Sequence, residues 1–251
     1  MSFLGMVSDK GAIQSLIKSS QRIAVLTGAG VSVDSGIPDF KSTDKSWAYP
    51  ISRQAAISTR FFRKDPQTFW TIYRELFVSK IAAEPNDFHY YLTSLERDHT
   101  VTILTQNVDG LHTKAGSTNV LEIHGSTQSL VCMKKQCRAV FQSEKLLDQE
   151  TPVCEYCGSI LKPDVCLFDE NVRDFKKAEQ EVYKADLIIV AGTALDVMPF
   201  NTLPFKARHS KVLPKQLWIN IEEPPENYRF SHSYIGSMKD FLKEIAEKGE
   251  S

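Results

Sequence analysis

The chain has 251 residues, with Lys+Arg 30 against Asp+Glu 31, 42% hydrophobic and 24% charged residues. At about 150 residues per domain this allows one large domain or two smaller ones, ample for a core without disulfide staples. The net charge of -1 provides no global basic field to gather phosphates, so nothing signals nucleic acid, and five cysteines, an odd count, make no tidy disulfide framework. The opening residues lack the cationic start and apolar stretch of a signal peptide, and no apolar run reaches the ~20 residues of a membrane span. The expectation is a cytoplasmic protein in a reducing compartment, where paired cysteines hold metal.

In chain order, Ile13, Leu16 and Ile17 carry a helical spacing. Residues 23–26 are a buried strand that runs into Thr27-Gly28-Ala29-Gly30. Phe69, Ile72, Tyr73 and Leu76 repeat the helical spacing. Residues 101–104 form a second strand ending in Thr105-Gln106-Asn107, and residues 120–123 a short one before His124-Gly125-Ser126. Residues 132–157 are polar and broken, and read as a small inserted module. Residues 187–190 form a strand ending in Ala191-Gly192-Thr193, residues 199–214 with three prolines read as loop, and residues 217–221 form a further strand. Glu222-Glu223-Pro224-Pro225 breaks the chain before a last helix over 238–246, with Phe241, Leu242 and Ile245 on one face. Short apolar strands alternating with helices predict an α/β fold, a doubly wound, Rossmann-like parallel sheet. Ligands of such sheets bind beyond the carboxyl ends of the strands, where each strand here carries glycine or polar residues.

Cys132 and Cys137 have four residues between them, Cys154 and Cys157 two, and sixteen separate the pairs. Two close pairs across such a gap suit tetrahedral Zn2+, and four thiolates fill the coordination sphere, so the metal is structural rather than catalytic. Cys166, in the apolar run Val165-Cys166-Leu167-Phe168, reads as a buried core thiol. The segment from Gly28 to Gly36 lets backbone N–H groups approach a phosphate, although Val33 occupies the third glycine position of the dinucleotide fingerprint, and a structural strand-to-loop turn is the plainer role. Two amides and a carboxylate, Gln106, Asn107 and Asp109, end the second strand, with ribose hydroxyls and a carboxamide as matching partners and loop capping as the plainer role. His124, at a strand end, is a candidate general base near neutral pH, with a satisfied structural histidine as the commoner role for a lone imidazole.

Together these segments resemble the sirtuins, NAD-dependent protein deacylases, in order along nearly the whole chain. The resemblance runs through Gly28-Ala29-Gly30-Val31-Ser32, Ser35-Gly36-Ile37-Pro38-Asp39-Phe40, residues 105–112, His124-Gly125, the four cysteines, residues 163–170 and Gly192-Thr193-Ala194-Leu195. It implies an NAD-binding domain of residues 1–40, 91–128 and 163–251. A small domain would combine a helical insertion, 41–90, with a zinc module, 129–162. It implies that Gly28, Ala29 and Gly30 approach the pyrophosphate, that Asp39 and Phe40 border the nicotinamide pocket, and that Ser32, Ile37 and Lys41 also contact NAD. Gln106, Asn107, Val108 and Asp109 would hold the nicotinamide ribose and carboxamide. Gly192, Thr193 and Ala194 would assist the phosphates and adenosine ribose, with Asn220, Ile221 and Glu222 at the adenosine. Val165, Phe168, Asp169 and Glu170 would line the channel for an acyl-lysine protein or peptide, which pairs as an added strand. His124 would be the base and Asn107 would assist it, yielding free lysine, nicotinamide and O-acyl-ADP-ribose.

The chain departs from the family pattern at three places: Lys41 stands for the usual Arg, Asp169 for the Gly of Phe-Gly-Glu, and Ala194 for a Ser. Lys41 and Asp169 keep open ADP-ribosyl transfer or NAD hydrolysis on the same fold; a third reading is a non-catalytic zinc-stabilised binding module, against which intact His124 and Asn107 argue. Sirtuins that remove acidic acyl groups carry a Tyr and an Arg three residues later in the insertion. Here Tyr73 is followed by Leu76, so a neutral acyl group is expected.

Overall fold

The computed structural model describes residues 9–37, 47, 49–145, 148–207 and 213–246, with the side chains of 78–81 excepted. Nine strands are described: β1 Arg22–Thr27, β2 Thr100–Thr105, β3 Val120–Glu122, β4 Gly125–Cys132, β5 Val140–Gln142, β6 Leu161–Val165, β7 Leu187–Ala191, β8 Lys215–Asn220 and β9 His232–Ile235. Six of them form a parallel sheet in the order β3-β2-β1-β7-β8-β9. Counted along the chain within that sheet the order is 3-2-1-4-5-6, the doubly wound dinucleotide arrangement, and it reverses between β1 and β7.

The strands are apolar at consecutive residues because both faces are covered. Ile23, Val25, Leu187, Ile189, Leu217 and Ile219 meet the helices Lys10–Ser19, Asp87–Leu95 and Met238–Ala246 on one face. Ala24, Leu26, Ile188, Val190 and Trp218 meet Phe175–Lys184 and the segment around Phe200 and Leu203 on the other. Ile13, Leu16 and Ile17 are all buried, as their spacing predicts, and the Asp9 side chain accepts the Ala12 N–H to start that helix.

A second sheet, antiparallel in the order β5-β4-β6, shares one apolar cluster with the helix Pro66–Ile81. Phe69, Trp70, Ile72 and Tyr73 are fully buried there beside Leu130, Cys132, Cys154 and Leu161. The Trp70 indole N–H donates to the Leu161 carbonyl at 3.2 Å, so one helix and one strand are locked by both area and a hydrogen bond.

Four sequence expectations are corrected. The tract 132–157 is not merely broken: β4 runs into Cys132, β5 follows, and Val153 bridges Ile160. Short strands with polar edges have no period to read. The strand expected over 217–221 ends at Asn220, whose Oδ1 accepts the Ile221 N–H at 2.8 Å and diverts it from the ladder. The loop expected over 199–214 holds a 3-10 turn, Phe200–Thr202, and a helical turn, Leu203–Lys206, with Pro204 in the first turn, where its missing N–H costs nothing. Cys166, expected in the core, is only half-buried. Among the described residues no helix is long and apolar enough to cross a membrane.

Candidate functional site

The ends of β1, β2, β7 and β8 converge at the reversal point of the sheet, and most of the sequence-predicted polar residues meet there. The loops after β1 and β7 are pressed together: Gly28 N–H donates to the Ala191 carbonyl at 3.2 Å and Gly30 N–H to that of Gly192 at 2.8 Å. Gly192 has φ +60°, and a Cβ on it would lie 2.5 Å from the Val31 nitrogen. A Cβ on Gly30 would lie 2.7 Å from the Gly192 Cα. These glycines therefore permit loop-on-loop contact, a requirement that motif reading, centred on phosphate, does not reveal. Gly192→Ala combines left-handed strain of ~1–3 kcal/mol with that clash, so ADP-ribose affinity is expected to fall by about tenfold or more. Unchanged affinity by titration calorimetry would contradict the packing argument.

Asn107 and Asp109 are buried, and their side chains build the loop itself. The Asn107 amide donates to the Gly28 carbonyl at 3.0 Å and to Ser32 Oγ at 3.1 Å. Ser32 Oγ donates to Asp109 Oδ2 at 2.7 Å, while Asp109 Oδ1 accepts the Leu111 N–H at 3.0 Å. Gln106 Oε1 accepts from Thr193 Oγ1 at 2.8 Å, and the Asn220 amide donates to the Thr193 carbonyl at 3.0 Å, joining the ends of β2, β7 and β8. Ile37 is buried, its N–H donating to the Ser32 carbonyl at 3.3 Å. Val108 and Ala194 are half-buried, while Ile221 and Glu222 lie exposed beyond β8. Asp39, Phe40 and Lys41 lie outside the described residues.

His124 follows β3 at the rim. Its Nδ1 lies 3.0 Å from the Gln106 carbonyl. A carbonyl only accepts, so Nδ1 carries the hydrogen and Nε2 keeps its lone pair. Burial holds this imidazole below its ordinary pKa, opposed by the bond to Gln106. The next residue, Gly125, has φ +78°, and a Cβ there would lie 2.1 Å from the Asp164 carbonyl, so only glycine lets the His124 loop lie against β6. Two strand positions earlier, Glu122 is raised to about 7 by burial and by the Asp109 and Asp164 charges, with Ser126 and Arg173 opposing.

Behind the crevice His112 Nε2 lies 3.0 Å from Thr27 Oγ1, and its ring centroid is 4.8 Å from that of His89. Burial, then repulsion from His89, lowers His112 to about 3; burial lowers His89 to about 4 against the pull of Asp109. Neither pattern nor spacing marks this pair. Both are neutral in the fold but protonate near 6.5 when unfolded. Their contribution to stability is complete above pH 6.5, falls as pH drops toward the folded values, and levels off below them. The unfolding free energy is expected to fall from pH 6.5 to 4.5, by up to about 1.4 kcal/mol per pH unit for each group, and the unfolding midpoints with it. Midpoints constant over that interval would contradict their burial as neutral imidazoles.

Val165 is buried at the end of β6, whereas Phe168 is 55% exposed. The Asp169 carboxylate accepts from the Thr59 and Arg60 N–H groups at 2.6 and 3.0 Å, holding the start of the helix Thr59–Lys64. Glu170 bonds Lys162, Thr59 and Leu167. Both acids thus tie their loop to the helical segment, a structural duty the sequence reading missed because their partners are remote in the chain.

The four cysteines meet as their spacing predicts. Cys132 and Cys157 sulfurs are 3.5 Å apart, Cys137 and Cys154 sulfurs 3.6 Å, and all four lie within 4.8 Å of one another. Zn–S bonds of about 2.3 Å place tetrahedral sulfurs ~3.8 Å apart, so the set fits zinc.

The Sir2 family model matches residues 28–199. An NAD-dependent protein deacetylase of Chromobacterium violaceum is 42% identical over 203 residues, covering 80% of this chain and 82% of that protein. A solved structure of Sir2 with a p53 peptide and NAD+ superposes with a TM-score of 0.84 at 29% identity, covering 96% of this chain and 99% of that one. Another, of a Sir2 variant with deacetylated p53 peptide and 3'-O-acetyl-ADP-ribose, gives 0.84 at 28% identity over the same shares.

Proposed function

This chain belongs to the Sir2 family, the sirtuins, and from that premise we propose that it is an NAD-dependent protein-lysine deacetylase. The observation that carries the mechanism is the tautomer of His124, its Nδ1–H bound to the Gln106 carbonyl, which leaves Nε2 with its lone pair. NAD, when bound, supplies a ribosyl carbon that accepts the acyl oxygen as nicotinamide departs.

We assign the remaining chemistry to the chain's own residues. His124 Nε2 takes the proton of a ribose hydroxyl, which makes that oxygen nucleophilic. Gln106, Asn107 and Asp109, already joined to Ser32, Thr193 and the Gly28 carbonyl, give the crevice a preorganised polar wall. The loops at Gly28 to Gly30 and Gly192 to Ala194 receive the phosphates, Asn220 to Glu222 the adenosine, and Asp39 to Lys41 the nicotinamide side. The acyl-lysine enters between the parallel-sheet domain and the small domain, along Val165 to Glu170. The thiol cluster holds zinc, which joins two loops and takes no part in the chemistry; it suits a reducing, cytoplasmic setting.

A neutral acyl group is the substrate we favour. Tyr73 and Leu76 offer no cation, and neighbouring Arg74 donates to the Gln149 and Glu150 carbonyls, both at 2.9 Å. Acetyl-, butyryl- and succinyl-lysine peptides with NAD, resolved by mass spectrometry, test this. The expected products are free lysine, nicotinamide and O-acyl-ADP-ribose from the neutral peptides. ADP-ribosylated protein or free ADP-ribose would favour transfer or hydrolysis instead, and NAD binding without consumption a non-catalytic module.

A further inference from the structure

Lys162 is a lysine where the fold gains least from one. It lies on β6, opposite Val131 of β4, and is 3% exposed. A buried ammonium is costly unless it is paired. This one donates to Glu170 Oε2 at 2.9 Å and to the Val165 carbonyl at 2.7 Å. Glu170 Oε2 also accepts the Leu167 N–H at 3.1 Å, and its Oε1 accepts from Thr59 Oγ1 at 2.9 Å. Burial would raise the Glu170 carboxyl, but the bonds to Lys162 and Leu167 hold it below its ordinary value, so the pair is ionic.

The segment between these two anchors is the one assigned above to the acyl-lysine. Three of its N–H groups are held by the protein: Cys166 by the His124 carbonyl at 2.7 Å, Leu167 by Glu170, and Phe168 by the Ile57 carbonyl at 3.0 Å. The ammonium grips the segment at its start, through Val165, and at its end, through Glu170. The Cys166 bond carries the register onward to the residue proposed as the base.

We infer that Lys162 is a positioning residue for the acyl-lysine substrate, clamping residues 165–170 in the register that both docks the peptide and seats His124. The inference rests on the deacetylase reading. Lys162 touches neither the NAD crevice nor, in this account, the reacting atoms. Its loss acts on peptide binding and alignment while NAD binding stays intact.

The test is Lys162→Met, measured for peptide KM, kcat, ADP-ribose affinity, zinc content and unfolding midpoint, beside Lys162→Arg and the double variant Lys162→Met/Glu170→Gln. A small misplacement of a reacting group costs about 10²-fold, so kcat/KM for acetyl peptide should fall by about that factor, mainly through KM. ADP-ribose affinity should stay within about twofold, well under the tenfold that 1.4 kcal/mol represents. Arginine should restore most of the loss because it keeps the cation, and the double variant should be no worse than the single one. Unchanged peptide kinetics in Lys162→Met overturn the inference, as does a parallel loss of ADP-ribose affinity, zinc and stability, which marks a merely structural role. If Lys162→Met does not fold, the arginine variant decides, since wild-type unfolding with lost peptide affinity excludes rescue by charge. A wild-type enzyme that turns over no acetyl peptide fails the deacetylase reading itself, a result separate from any difference among variants.

Discussion

Replacing His124 with alanine is expected to lower deacetylation by about 10²–10⁴-fold, the usual contribution of a positioned general base, while ADP-ribose still binds. The second half of that expectation follows from the geometry. The His124 side chain meets the β2 loop at the Gln106 carbonyl, whereas the crevice is assembled by Asn107, Ser32, Asp109 and Thr193. The pH profile supplies an independent check. Burial lowers the His124 pKa from 6.5, so the imidazole is neutral and basic at pH 7. Activity should rise with pH through an acid limb centred below 6.5 and then level off, and the limb should vanish in the residual activity of the variant. A limb centred above 6.5, or normal turnover by the alanine variant, would contradict the role given to His124.

Cys154→Ser, or removal of zinc by a chelator, is expected to abolish peptide turnover by loosening the small domain. Structural zinc in small modules contributes about 10–16 kcal/mol of apparent binding energy at neutral pH. Cys132 and Cys154 belong to the cluster that contains Phe69, Trp70 and Leu161, and Arg74 of the same helix grips the chain at Gln149 and Glu150. Losing the metal therefore releases the helix as well as the cysteine loops. The two clusters flanking the parallel sheet contain none of the four cysteines, so ADP-ribose binding should persist. Chelator-treated protein should lose near-ultraviolet dichroism from Trp70 and most peptide affinity. Full zinc retention with unchanged stability in Cys154→Ser would refute the structural assignment.

The parallel sheet was legible because its strands are buried on both faces. Val25, Ile103 and Ile189 lie in runs that no amphipathic helix or half-exposed strand would show. The cysteine cluster was legible because metal ligation fixes spacing within short loops. The sheet order was not, since it depends on which strands meet: β3 beside β2 and β7 beside β1 leave no trace in local pattern. The second sheet escaped for another reason. β5 has three residues, Val140 at 61% exposure, and its pairing is stabilised by Leu130 and the metal loops rather than by its own alternation.

Within the site, the residues named from sequence gather at the strand ends, but several of their side chains serve the protein first. Asp109 bonds Ser32 and Leu111, and Asp169 accepts the first two N–H groups of the helix Thr59–Lys64. The Asp that replaces the family's Gly thus fastens the loop at 165–170 to the helical segment. Lys162 and His89 lie in no motif, and the contact of His89 with His112 and that of His112 with Thr27 join residues far apart in the chain.

The central claim is that nicotinamide release and lysine deacetylation are one coupled reaction on this chain. The most direct measurement follows both in the same vessel, nicotinamide by chromatography and free lysine by peptide mass, with and without acetyl peptide. The account predicts equal amounts of each, both requiring peptide and both lost in His124→Ala. Nicotinamide released without peptide, or in excess of the lysine unmasked, would contradict it.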